Sequence, residues 1–115
     1  MNDLLSFLAA SPSRFHAVAN FGSALEERGY VRLSEGRAWD IVPGGKYYVT
    51  RNGSSLLAFR VPRGDFTGFM ISASHSDSPT FRVKENAELS GPDGYIRVNT
   101  EGYGGMLCAP WLDRP

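Results

Sequence analysis

Asn52-Gly53, set between two runs of strand-forming residues, constrains this chain more than any other pair. The dipeptide favours a two-residue turn with both central residues at positive φ, whose twist matches that of paired antiparallel strands. Lys46 to Arg51, with Tyr47, Tyr48, Val49 and Thr50, is the predicted incoming strand. Ser54 to Val61 is the return strand, and its imperfect alternation predicts cover on both faces. The rest of the chain has to fold around this hairpin.

Two helices are predicted before it. Leu4, Leu5 and Leu8 have helical spacing within residues 1–10. Ser11-Pro12-Ser13 interrupts them, with Ser11 as N-cap and Pro12 at the first position of a second helix. That helix runs to about Arg28, with Phe15, Val18, Phe21 and Leu25 on one face. Gly29 closes it as a left-handed cap, and Tyr30 packs back on its last turn. Val31-Arg-Leu33 is a short strand, and Trp39 to Val42 is a further candidate, stopped by Pro43-Gly-Gly45.

After the hairpin, Pro62 to Asp65 is a loop and Phe66 to Ser74 is a predicted buried strand. Its sequel, Ser74-His-Ser-Asp-Ser-Pro79, is polar, and Pro79 takes the backbone out of any ladder. His75 and Asp77 therefore fall at the carboxyl end of that strand, where open α/β sheets bind ligands. Residues two apart in extended chain point to one side, so both are expected to face one cavity. Three readings of the pair stand side by side. The imidazole can ligate zinc while the carboxylate fixes its tautomer. The two can serve a serine nucleophile, a reading weakened by the lack of a Gly-x-Ser-x-Gly elbow. Or His75 is a hydrogen-bonded structural histidine and Asp77 caps the turn. His16, the other histidine, has no ligand-type neighbour three or four residues away and is expected to pack between helix and sheet.

Thr80 to Lys84 and Tyr95 to Asn99 are strands around a turn-rich stretch, Asn86 to Gly94. Gly102-Tyr-Gly-Gly105 lacks the Gly-Lys-Ser/Thr of a phosphate loop and reads as a tight turn. With 12 basic and 12 acidic residues the chain has no basic excess, which argues against nucleic-acid binding. No apolar run approaches the ~20 residues of a membrane span. Its one cysteine, Cys108, excludes an intrachain disulfide. A cytoplasmic location is the expectation.

Taken in order, Ser11-Pro-Ser-Arg-Phe-His-Ala-Val18, Gly44-Gly-Lys-Tyr-Tyr-Val-Thr-Arg-Asn52, Ser74-His-Ser-Asp-Ser-Pro79 and Tyr103-Gly-Gly105 with Trp111-Leu-Asp-Arg-Pro115 resemble one group. That group is the aspartyl-aminopeptidase-type metallopeptidases (metallopeptidase family eighteen). The resemblance is to their amino-terminal part and covers essentially the whole chain. The group's usual His-Thr-Asp-Ser-Pro occurs here with Ser76 for Thr.

The resemblance implies an α/β fold: two amino-terminal helices, then mixed strands with the Asn-Gly hairpin, the first portion of a zinc-exopeptidase-like catalytic domain. Residues 1–115 would be one partial domain. Such enzymes remove N-terminal residues, often acidic, from peptides with a pair of zinc or related ions. They carry an inserted dimerisation domain and assemble as dodecamers. By position, His75 matches a metal ligand and Asp77 the acid that orients it. Asp113 lies in a landmark segment near the inserted domain and is not taken as a ligand. Family members are several times longer, with their other ligands and general base downstream. A two-metal site needs several more ligands and a base, so this chain is expected to be a fragment, inactive alone. The alternative is a non-catalytic structural or assembly module, completed by another chain.

Overall fold

The structure is a computed structural model that describes residues 2–105, 107, 109 and 112. Cys108, Trp111 and Asp113 lie outside the described residues. Two compact units form, Met1–Asp77 and Ser78–Pro115.

In the first unit, helices α1 (Asn2–Ala10) and α2 (Arg14–Glu26) precede a three-stranded sheet. Its strands are β1 (Val31–Leu33), β2 (Lys46–Arg51) and β3 (Ser55–Arg60), in that spatial order. β1 runs parallel to β2, and β3 runs antiparallel to it. The helices are clamped together by a Phe7–Phe21 ring pair with centroids 4.6 Å apart. Asn20 Nδ2 adds bonds to the Ala10 carbonyl and to Ser11 Oγ, each 3.0 Å. Those bonds hold Ser11 at the end of α1, so Ser13 and not Ser11 is the N-cap of α2. Gly29, at φ +78°, ends α2. Its N–H bonds to the Glu26 carbonyl and that of Tyr30 to the Leu25 carbonyl, the paired bonds of a Schellman turn.

The core gathers on β2, where Tyr47, Tyr48 and Val49 are buried, opposite Ala17 and Val18 of α2. Alternation sends Tyr48 and Tyr47 to opposite faces. Tyr48 reaches α2 and donates from its hydroxyl to Glu26 Oε1 at 2.5 Å. Burial first, then this bond and the Glu26 charge, push the Tyr48 hydroxyl above its ordinary pKa. Tyr47 meets its cross-strand partner Phe59 with ring centroids 5.5 Å apart, and Trp39 lies over Phe59. The Tyr47 hydroxyl also accepts from the Val42 N–H at 3.0 Å. Trp39 to Val42 is accordingly not a strand. Side chains, not a ladder, hold it: Trp39 Nε1 donates to the Ser34 carbonyl at 2.8 Å.

Asn52 and Gly53 both have positive φ, 51° and 62°, and join β2 to β3. Arg51 pairs with Ser55, so the connection includes Ser54, whose N–H bonds back to the Arg51 carbonyl at 3.1 Å. β3 is not covered on both faces. Leu57 is 60% exposed, and β3 has a neighbouring strand only on its β2 side among the described residues.

The second unit is an antiparallel ribbon of β4 (Thr80–Ser90) and β5 (Ile96–Tyr103). The ladder continues well beyond Lys84, and the turn between the strands is confined to Gly91–Gly94, where Asp93 and Gly94 take φ 55° and 82°. Pairing is interrupted between Val83 and Glu88. No described side chain of this unit is buried.

Candidate functional site

The predicted strand Phe66 to Ser74 is the main correction. The stretch has no ladder, and Phe69, Met70 and Ile71 are 83%, 104% and 86% exposed. A strand needs a partner for its backbone groups. No described strand runs alongside, so an apolar, β-prone run stays unpaired. His75 and Asp77 consequently do not stand at the end of a buried strand.

They are nonetheless brought together. His75 Nδ1 lies 2.7 Å from the Asp77 backbone carbonyl and 3.3 Å from Asp77 Oδ1. A carbonyl only accepts, so the 2.7 Å bond requires the proton on Nδ1. In the neutral ring that leaves the Nε2 lone pair outward, the tautomer a metal ligand needs. The imidazole is 80% exposed and the Asp77 side chain 34%. Two surface hollows of the first unit lie along Arg32 to Gly36 and between α2, Tyr48 and Thr50. Neither is lined by His75 or Asp77. Ser76, between the two, donates from its hydroxyl to the Ser54 carbonyl at 3.2 Å. Sequence reasoning missed this contact, which joins residues twenty-two apart and has no local signal.

His16 is exposed and does not pack between helix and sheet. Its Nδ1 shares a 2.8 Å hydrogen bond with Ser13 Oγ.

A model of the aminopeptidase I zinc metalloprotease (M18) family matches residues 7–115. The chain belongs to that family. A probable M18 family aminopeptidase 2 of Clostridium novyi is 45% identical over 116 residues, 99% of this chain and 27% of the relative. Its counterpart in Pseudomonas paraeruginosa is 49% identical over 113 residues, 96% of this chain and 26% of the relative. The chain thus spans about a quarter of the length of the curated relatives it matches. Among solved structures, Chaetomium thermophilum mApe1 superposes with a TM-score of 0.86 at 37% identity, covering 98% of this chain and 26% of that one. The S. cerevisiae mApe1 dodecamer gives 0.78 at 30%, covering 98% and 27%. Two helices followed by mixed strands are therefore the amino-terminal portion of the family's α/β fold.

The family description implies zinc. The His75 imidazole fits as one ligand, since its Nδ1 is engaged and its Nε2 is turned outward. A zinc site takes three or four protein ligands. Among the described residues no three His, Cys, Asp or Glu side chains cluster as such a site requires.

Proposed function

We propose that residues 1–115 are the amino-terminal segment of one aminopeptidase catalytic domain, which binds metal through His75 Nε2 and sets that ring with Asp77. The observation that carries this reading is the Asp77 carbonyl 2.7 Å from Nδ1, with the Asp77 carboxylate 3.3 Å away. The carbonyl selects the tautomer, and the carboxylate helps to orient the ring. Zinc, when bound, supplies Lewis acidity toward a scissile carbonyl. A pair of ions, the remaining ligands and the general base belong to the complete protein, and the segment alone is inactive. The substrate is a peptide with a free N-terminus, often acidic. The dodecamer of the yeast relative supports homo-oligomeric assembly. Placement in the cytoplasm is part of the same reading. Consistent with it, no helix among the described residues is long and apolar enough to cross a membrane.

The test is substitution in the full-length enzyme. His75→Ala should remove both bound zinc and peptidase activity, and full retention of both would sink the assignment. Asp77→Asn should lower activity with a smaller loss of metal.

A second reading, an assembly module without chemistry completed by another chain, draws on the absence of a closed ligand cluster among the described residues and on exposed Phe69, Met70 and Ile71. A monodisperse monomer of the 115-residue chain at high concentration would count against it.

A further inference from the structure

Among the described residues the loop that carries His75 has no ladder partner, and its imidazole is 80% exposed. Among the described residues, its two polar contacts are to Asp77, two residues away, and they set the ring relative to its own loop. Ser76 provides a tie from that loop to the core. Its half-buried side chain donates to the Ser54 carbonyl at 3.2 Å. Ser54 in turn is fixed by its own N–H, which closes the turn on Arg51, and by the ladder that begins at Arg51 and Ser55. That ladder runs into the buried residues of β2. A hydrogen-bonded route therefore leads from the ring-bearing loop to the most buried strand of the molecule.

We propose that Ser76 is a positioning residue, whose hydroxyl docks the His75–Asp77 loop on the β2–β3 turn and so sets how tightly His75 takes a metal ion. The proposal rests on the reading of His75 as a ligand. Its physical basis is preorganisation. A ligand on an undocked loop must be ordered when the ion binds, and that ordering subtracts from affinity. Outer contacts that orient a ligand typically change metal affinity about 10–100-fold when removed. The donor has to be a hydroxyl or its equivalent, because the Ser54 carbonyl can only accept.

The experiment uses the full-length enzyme stripped of metal. Zinc affinity is measured by competition with a chelator, and thermal unfolding of the metal-free protein is followed in parallel. Ser76→Ala should weaken zinc binding about tenfold while the metal-free melting temperature stays put. Ser76→Thr, which keeps the hydroxyl, should restore affinity. Ser76→Val, of nearly the volume of threonine, should not, and this pair decides the matter even where Ser76→Ala fails to fold. Equal affinities for the Thr and Val variants would overturn the proposal. So would a loss of affinity matched by an equal loss of metal-free stability, because that is what a merely structural bond does. His75→Ala is the control. If it keeps zinc, the ligand reading itself has failed; if it loses zinc while Ser76→Val binds normally, only the role of Ser76 is lost.

Discussion

Met1–Asp77 and Ser78–Pro115 both contain well-paired strands, yet among the described residues only the first unit has a core. β2 is six residues long and buries three in succession. β4 and β5 are eleven and eight residues long and bury none. Backbone pairing and burial are thus separable. A ladder satisfies N–H and C=O groups wherever two strands meet, whereas burial needs a further layer on the face of the sheet. β2 has α2 on one side and the Trp39–Phe59–Tyr47 stack on the other. An isolated two-stranded ribbon is marginal in water.

The contrast can be broken most forcefully at Tyr48. Tyr48→Ala in the 115-residue chain should cost about 3–5 kcal/mol in denaturant unfolding, the usual loss for a buried aromatic. A cost below that of a surface change would mean that β2 is not the centre of the core. Gly29→Ala should cost about 1–2 kcal/mol, since a Cβ disfavours the left-handed backbone that ends α2; the unfolding midpoint reports it. Tyr48→Phe isolates the hydroxyl and should cost about 1 kcal/mol at neutral pH. Its pH dependence follows from the raised pKa. The unfolded tyrosine ionises near 10.0, before the folded one does, so this stability is complete below pH 10.0 and lost as pH rises through the folded value. The Phe variant should therefore lose stability less steeply than the parent in alkali. Smallest of all, Val98→Ala on the ribbon, where Val98 is 62% exposed, should change stability by less than about 0.5 kcal/mol. A loss comparable to that of Tyr48→Ala would abolish the distinction between the two units.

How much was legible follows the same division. Local chemistry announced itself: Asn52-Gly53 marked the turn, Gly29 the end of α2, and the run from Tyr47 to Thr50 a strand, though not its burial. Misreadings arose where a distant partner decides. Ser11-Pro12 has the look of a helix start, but Asn20 holds Ser11 for α1 and shifts the cap to Ser13. Phe66 to Ser74 has strand composition, which says nothing about whether another strand lies beside it. The proximity of His75 and Asp77 was readable, because two residues of one loop cannot be far apart. Their exposure and the Ser76–Ser54 tie were not, since both depend on how loops settle on a finished sheet.

The irregularity in β4 has a consequence for parity. Partners directly opposite each other share a face, and β5 is regular, so Ile96, Val98, Thr100 and Gly102 all lie on one side. Their partners are Ser90, Glu88, Val83 and Phe81. β4 therefore changes phase between Val83 and Glu88, from odd to even residues. Simple alternation through the strand would seat Leu89 with Phe81 and Val83. The phase change sends it instead to the side of Arg97 and Glu101, and leaves Phe81 and Val83 with Val98 and Ile96. The four residues from Lys84 to Ala87 act as a frame-setter for the ribbon. Removal of one of them would put Val83 and Glu88 on one parity, so the far end of β4 would keep its face by plain alternation, with no phase change needed.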